Sequence, residues 1–206
     1  MGKPLITPQL IRALVPGHTH PTVTAKKLDM AAQKFGITTP LRVAHFVAQL
    51  AHESNLFPRE ENLQYSPNRL CQVWPNRFSP AAAITQLCAW NPIMLANIVY
   101  GGRMGNIFPG DGHFFRGRGM IQLTGRANYR TYGKLVGFDL EKDPDLLLQF
   151  GVSALVAAAY WNSHGLNFRA DRDDLNGITK AINGGFNGLQ HRAKLLAVAK
   201  KHLGIK

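Results

Sequence analysis

The sequence predicts a mainly α-helical chain that folds as a single domain over residues 1–206, and three observations predict this class. Apolar residues recur every three or four positions along most of the chain, which is the period of a helix buried on one face. Ser or Asn directly precedes proline at three places, a pairing that starts helices. A stretch with eight glycines and no helical period lies between residues 101 and 125 and divides the predicted helices into two groups.

The first group is predicted to hold six helices. Three of them are expected over residues 7–14, 21–35 and 40–53. The first two form a helical lead-in within residues 1–36, and the third carries its apolar residues on one face. Three more helices should begin at Ser66, Ser79 and Asn91, where each side chain can cap the helix and the following proline takes the first helical position.

The glycine-rich stretch is expected to be a loop with a short hairpin between Phe114–Phe115 and Met120–Leu123. Gln122 and Thr124 alternate with apolar residues, so an extended strand would present an amide and a hydroxyl on one face. These groups suit the binding of a sugar or a water molecule, or they only satisfy neighbouring backbone groups, and alternation alone leaves both interpretations open. The second group of helices is predicted over residues 126–136, 146–163, 174–182 and 189–203.

The composition describes a chain with a sizeable core and a strongly basic surface. Hydrophobic residues make up 45%, and no apolar run approaches the roughly 18 residues that cross a membrane. The 24 Lys and Arg against 12 Asp and Glu give a net charge of +12, which favours a polyanionic partner such as nucleic acid, teichoic acid, lipopolysaccharide or peptidoglycan. No secretory signal is recognised at the N-terminus, so we expect the protein to be synthesised in the cytoplasm. We also expect it to be a monomer.

The carboxylates are unevenly distributed. Three of the four Glu residues, Glu53, Glu60 and Glu61, fall within nine residues. Glu53 is expected near the C-terminal end of a helix, half buried beside Leu50 and Phe57, and both the helix dipole and burial favour its protonated form. A general acid needs that property at neutral pH. On the pattern alone, three solvated loop carboxylates remain the simpler interpretation.

Other motifs that could carry chemistry are incomplete. His52-Glu53 resembles the start of a zinc-protease motif, but Leu56 stands where the second histidine is required, so no metal site is predicted. Neither Cys71 nor Cys88 lies in a nucleophile motif, and we expect two buried free thiols, with a disulfide between them as the alternative. The sequence Gly117-Arg-Gly resembles an RNA-binding box, but it occurs once and favours a tight turn.

Three segments together resemble glycoside hydrolase family 19, the family of plant-type chitinases and of many phage endolysins. They match in order and spacing over roughly residues 40 to 195. The segments are Ala48–Ser54 with Glu60–Ser66 after it, Gly117–Tyr129, and Ile178–Gly188. The resemblance implies a lysozyme-like, mainly helical fold with two lobes and a central sugar cleft. It also implies an inverting hydrolase that needs no metal and no organic cofactor.

The resemblance assigns roles to individual residues. It implies that Glu53 is the general acid and that Glu61 is the base that activates water, with Glu60 left open as the base because the loop after Glu53 is about one residue short. Thr124 matches the residue that positions the water. The substrate-binding positions are His52, Gln122, Asn128, Asn183 and Arg192. Arg192 matches a supporting basic residue.

The substrate is expected to be peptidoglycan, cut by an endolysin, with chitin as the alternative. The small chain, the net charge of +12 and the short loop after Glu53 all favour the endolysin branch. Such an enzyme would accumulate in the bacterial cytoplasm and reach the wall through a holin-type lesion. A third class, a cationic module that binds the envelope or nucleic acid without catalysis, stays open. The acidic cluster argues against nucleic acid at that face.

Overall fold

The structure is a computed structural model, and it describes residues 3–205. These residues form twelve α-helices and one 3-10 helix, so the mainly α-helical prediction is confirmed. The first six helices are α1 (Pro8–Leu14), α2 (Pro21–Lys34), α3 (Pro40–Ser54), α4 (Pro67–Val73), α5 (Ala83–Cys88) and α6 (Pro92–Tyr100). The others are α7 (Asp111–Phe114), α8 (Arg126–Val136), the 3-10 helix (Pro144–Leu148), α9 (Phe150–Ser163), α10 (Leu166–Ala170), α11 (Leu175–Asn183) and α12 (Leu189–His202).

Most predicted helix starts are confirmed in atomic detail. The Ser66 side chain accepts a hydrogen bond from the backbone of Arg69 at the start of α4, and Asn91 does the same for α6. Each cap is followed by proline, whose missing N–H costs nothing in the first turn. The start predicted at Ser79 is wrong, because its carbonyl accepts a hydrogen bond from the Thr85 hydroxyl instead, and α5 begins only at Ala83.

Two adjoining hydrophobic clusters form what we call the large lobe. One cluster joins α1, α2, α3 and α12, so the N-terminal lead-in packs into the main core. The other lies between α8 and α9, and α9 contributes to both. The helix predicted over residues 146–163 is divided in two, because Gln149 adopts an extended conformation between the 3-10 helix and α9.

A third cluster gives residues 63–100, the small lobe, a core of their own. It is built from α4, α5 and α6, with Phe78 and Leu95 among its buried residues. Cys88 is buried in this core and Cys71 is only half buried, and both are free thiols as expected. The segment that connects α3 to the small lobe carries Glu60 and Glu61.

The hairpin predicted between residues 114 and 123 is wrong. Residues 3–205 contain no strand, only single bridges that pair Arg118 with Glu60 and with Leu123. Phe114 belongs to α7, and Gln122 has a φ of 54°, a left-handed conformation that an extended strand excludes. Within the same residues, no helix is both long and apolar enough to span a bilayer.

Candidate active site

Glu53 is held at the end of α3 by a buried arginine. Residues Val43 to Ala51 are buried on α3, and the helix ends at Ser54, with Asn55 in the left-handed conformation as its cap. Arg192 of α12, only 1% exposed, donates from Nη2 to Glu53 Oε1 at 2.5 Å. Its other terminal nitrogen donates to Gln49, one turn earlier on α3. The Glu53 side chain is 21% exposed, so the carboxylate is anchored on one side and accessible on the other.

His52 lies beside Glu53 and pairs with a second histidine. The Nδ1 atoms of His52 and His191 are 2.8 Å apart, so one ring donates a proton to the other. Burial, and then the charge of Arg192, lowers the pKa of His52. Gly188 packs so closely that an added Cβ would lie 2.3 Å from the His52 ring. A glycine is therefore required at that position for the imidazole to take this place.

Glu61 is held by different contacts. Its backbone N–H donates to the Gly117 carbonyl at 2.7 Å, and the Tyr100 hydroxyl donates to Glu61 Oε1 at 2.7 Å. The Gly117 N–H donates to Oε2 over a longer 3.4 Å. Burial, and then the charge of Glu61, raises the pKa of Tyr100, so its phenol stays protonated and can donate. Donors on both oxygens fit an ionised carboxylate, which only accepts hydrogen bonds.

Glu60 faces other partners. Its carboxylate pairs with Arg116 at 2.5 Å, lies 3.8 Å from Arg118, and belongs to a side chain that is 47% exposed. Both glutamates line a groove of about 270 Å³ at the boundary of the small lobe, together with Asn62, Leu63, Gln64, Pro92, His113 and Arg116. Two cations already compensate the charge of Glu60, whereas neutral donors hold Glu61.

Gly117 brings Gln122 and Glu61 together. A Cβ at Gly117 would lie 3.2 Å from Gln122 Oε1 and 3.3 Å from Glu61 Oε2, so both oxygens border the same point. Thr124 and Asn128 contact the backbone: Thr124 Oγ1 donates to the Gln122 carbonyl at 3.1 Å, and Asn128 Nδ2 donates to the Thr124 carbonyl at 2.8 Å. The Gln122 amide likewise donates to the backbone carbonyls of Arg59 and Gly119, so the backbone-satisfying interpretation describes the observed contacts of Gln122 and Thr124. Asn183 lies exposed where α11 ends, outside the contacts that hold the two carboxylates.

Sequence reasoning missed three residues of this site. Arg59 donates to the Glu53 carbonyl at 2.8 Å, and its own carbonyl accepts from Gln122 Nε2 at 2.9 Å, so it links the end of α3 to the glycine-rich loop. Nothing in the local pattern marks Arg59 or Tyr100. Gln49 was detectable, because a polar residue four positions before Glu53 interrupts the apolar face of α3. The described residues include no group of three or more His, Cys, Asp or Glu arranged to hold a metal ion.

Comparisons with known proteins decide the family. No family model matches the chain. A glycosyl hydrolase family 19 domain-containing protein of Haemophilus influenzae is 36% identical over 166 residues, which cover 79% of this chain and 80% of that protein. The chain belongs to glycosyl hydrolase family 19. Two endochitinases of Arabidopsis thaliana are 30% and 29% identical to this family 19 chain, and the matches cover 79% and 82% of it but only 47% and 48% of the endochitinases.

Solved structures of family 19 share the fold. Chitinase C from Streptomyces griseus matches with a TM-score of 0.66 at 19% identity, over 100% of this chain and 96% of that chain. A bacterial family 19 chitinase matches with a TM-score of 0.63 at 19% identity, over 98% and 96%. The resemblance and the lysozyme-like fold that it implied are confirmed, and the family 19 protein is a glycoside hydrolase.

Proposed function

We propose that this family 19 enzyme hydrolyses the β-1,4 bonds of an N-acetylated amino-sugar polymer with inversion, with Glu53 as general acid and Glu61 as general base. The observation that carries the proposal is the pair of differently held carboxylates. Glu53 projects from the large lobe and Glu61 borders the small lobe, and Arg59 and Gln122 lie in the connection between them. An inverting mechanism needs two carboxyl groups about 6.5–9.5 Å apart, with room for one water.

Glu53 would protonate the glycosidic oxygen as the bond between that oxygen and C1 breaks. The proton that leaves Glu53 produces a carboxylate directly opposite Arg192. A fixed, buried cation stabilises this developing negative charge without reorganisation during the reaction, and it therefore lowers the barrier to proton transfer. Because Glu53 pairs with Arg192 in the structure, its carboxylate must take up a proton from solvent before it can act as the acid.

Glu61 would take a proton from the water that attacks C1 from the opposite face. Tyr100 fixes the direction of its carboxylate, and Gln122 Oε1 borders the same space across Gly117. The Thr124 hydroxyl both donates and accepts, so it can hold that water while it keeps its contact with the Gln122 carbonyl. Glu60 is the poorer base in this proposal, because Arg116 and Arg118 already face its carboxylate. His52, Gln122, Asn128 and Asn183 are the proposed sugar contacts.

Peptidoglycan is the proposed polymer, and chitin is the second candidate. The net charge of +12 supports an anionic bacterial wall, because long-range attraction concentrates a basic enzyme on a polyanion. The relatives favour chitin, since the Arabidopsis proteins are named endochitinases and the similar structures are named chitinases. The monomeric state and release through a membrane lesion stay predictions.

The decisive experiment compares wild type with Glu53→Gln on two polymers. Purified peptidoglycan is followed by turbidity, and chitin oligomers by the release of reducing ends. We expect wild type to clear peptidoglycan and Glu53→Gln to leave it turbid, with circular dichroism showing that both are folded. Equal clearing by both proteins would refute Glu53 as the acid. Binding without clearing by either protein would favour the non-catalytic module, and activity on chitin alone would replace the proposed polymer.

The reducing-end sugar of the digested peptidoglycan refines the assignment. An N-acetylmuramic acid end identifies a muramidase, which is the activity that we propose. An N-acetylglucosamine end identifies a glucosaminidase and would leave the acid and base assignments intact.

A further inference from the structure

One face of α3 carries a polar residue on every turn as it approaches the proposed acid. His45, Gln49 and Glu53 are spaced four residues apart, so they lie one above the other on this helix. His45 and Gln49 are both fully buried, although most of their neighbours on α3 are apolar. Helix α12 packs along α3 and supplies Arg192 at one end of this face and Lys200 near the other.

The ring of His45 has a defined tautomer. Its Nε2 lies 2.7 Å from Asp173 Oδ1, and that carboxylate also pairs with Lys200. A carboxylate only accepts, so Nε2 carries the proton and donates it. Burial lowers the pKa of His45, although the hydrogen bond to Asp173 acts in the opposite direction. The ring is therefore neutral, and its Nδ1 is left as a hydrogen-bond acceptor.

One turn along the helix lies a buried donor that also lacks a partner within the described part of the chain, the side-chain nitrogen of Gln49. His45 Nδ1 and Gln49 Nε2 are both buried, and neither has a hydrogen-bond partner among residues 3–205. One is an acceptor and the other a donor, and Cβ atoms four residues apart on a helix are separated by about 5–6 Å. Buried polar groups in folded proteins are nearly always paired, and an internal water with at least two polar partners is the usual way to pair groups that do not touch.

We propose that an internal water accepts a hydrogen bond from Gln49 Nε2 and donates one to His45 Nδ1, and that His45 thereby positions the carboxylate of Glu53 through Gln49 and Arg192. The inference rests on the proposed role of Glu53 as general acid. The water bridge fixes the amide of Gln49 with its oxygen toward Arg192. With the amide reversed, the NH₂ group would face the guanidinium, donor against donor, and the arginine that holds Glu53 would lose an anchor.

A purely structural role for His45 is the competing explanation. In that case His45 only stabilises the fold, through the hydrogen bond from Nε2 to Asp173 that connects α3 to the turn before α11. Two substitutions test the roles of the two ring nitrogens separately. The amide nitrogen of His45→Gln can take the place of Nε2, while the carbonyl oxygen of His45→Asn can take the place of Nδ1. The first keeps the donor to Asp173 and loses the acceptor toward Gln49, and the second does the reverse.

The experiment measures kcat and KM for both variants beside wild type, with thermal midpoints as the control for folding. We expect His45→Gln to lose kcat roughly tenfold or more with little change in KM, as a slightly misplaced catalytic group does. We expect His45→Asn to keep most of its kcat even if its midpoint falls further. The opposite order of kcat values would overturn the proposal and support the structural role.

A second measurement does not depend on activity. Nitrogen NMR of the labelled His45 ring reports which nitrogen carries the proton, and a high-resolution crystal structure reports the water. A neutral ring protonated at Nε2, with a water between Nδ1 and Gln49, supports the proposal; protonation at Nδ1, or direct apolar packing in that space, overturns it. If wild type hydrolyses neither polymer while the bridge is observed, the proposed function fails and the bridge stands.

Discussion

The two proposed catalytic carboxylates are held in different ways, and we call their surroundings the two walls of the proposed site. The wall that carries Glu53 is a buried helix packed against α12, and a guanidinium that is 1% exposed holds the carboxylate. The wall that carries Glu61 is a segment without helix or strand, and a phenol and backbone groups hold the carboxylate. The proposed acid therefore depends on the tertiary packing of the large lobe. The proposed base depends on a few hydrogen bonds at the edge of the small lobe.

The two lobes that carry these walls also differ in how completely their side chains are buried. Helix α3 is buried along nine consecutive residues, Val43 to Ala51. The small lobe exposes several large apolar side chains, and its Trp90 is 63% exposed with a φ of 58°. A bulky residue in the left-handed region is strained and persists only where its surroundings require it. Regions with fewer buried contacts open more easily, so we expect the wall of Glu61 to be the more mobile one.

The largest expected effect separates the two neighbouring carboxylates on the mobile wall. Glu61→Gln should lower kcat by about 10²–10⁴-fold, the usual contribution of general acid–base catalysis. Glu60→Gln is the matched control and should keep most of its activity, because its charge is already paired with Arg116. Initial rates on the polymer that wild type degrades test both variants. Greater loss in Glu60→Gln would exchange the two assignments.

The next effect concerns the packed wall. Arg192→Met should lower the free energy of unfolding by about 1–3 kcal/mol, because the buried Gln49 oxygen loses its donor and the partly exposed Glu53 loses its cation. Activity should fall as well, since Glu53 loses its anchor. Urea denaturation measures the stability. Arg169→Met serves as the control, because its pair with Asp174 is largely exposed and should change stability little. An equal loss of stability in both variants would contradict a special role for the contacts of Arg192 with Glu53 and Gln49.

A smaller effect is expected from the phenol that holds the base. Tyr100→Phe removes one hydrogen bond to Glu61, whose carboxylate belongs to a partly exposed residue, so water can take the place of the lost donor. We expect kcat to fall roughly tenfold while the thermal midpoint moves little, because the ring and its packing remain. Activity and stability should therefore separate on the wall of Glu61 and fall together on the wall of Glu53. A joint loss in Tyr100→Phe would remove that contrast.

The smallest expected effect is a dependence of stability on pH in the packed wall. Burial lowers the pKa of His45 below its ordinary value of 6.5, so the unfolded chain binds a proton at a higher pH than the folded one. Its contribution to stability is complete above pH 6.5 and is lost as the pH falls below that value. Denaturation of wild type and His45→Asn between about pH 5 and 7 should show a difference in unfolding free energy that narrows toward acid. A constant difference would exclude this titration.

The sequence predicted well whatever depends on local rules. The helix starts at Ser66 and Asn91 follow from capping chemistry, and the position of Glu53 follows from the length of an amphipathic helix. The prediction of a strand through Gln122 is wrong because the chain turns between Gly119 and Gln122, and the Gln122 amide also donates to the Arg59 carbonyl, 63 positions away, which no local rule predicts. Tyr100 was missed for the same reason, since it reaches Glu61 across 39 positions of the chain.

Arg59 connects the end of α3 to the glycine-rich loop through hydrogen bonds. Its guanidinium donates a hydrogen bond to the Glu53 carbonyl, while its own carbonyl accepts hydrogen bonds from the Gln122 amide and the Gly119 N–H. The end of α3 and the glycine-rich loop therefore share Arg59 as a hydrogen-bonding partner. If Glu53 and Glu61 act as proposed, a change in the length of the loop at Arg59 should therefore displace the surroundings of both carboxylates at once.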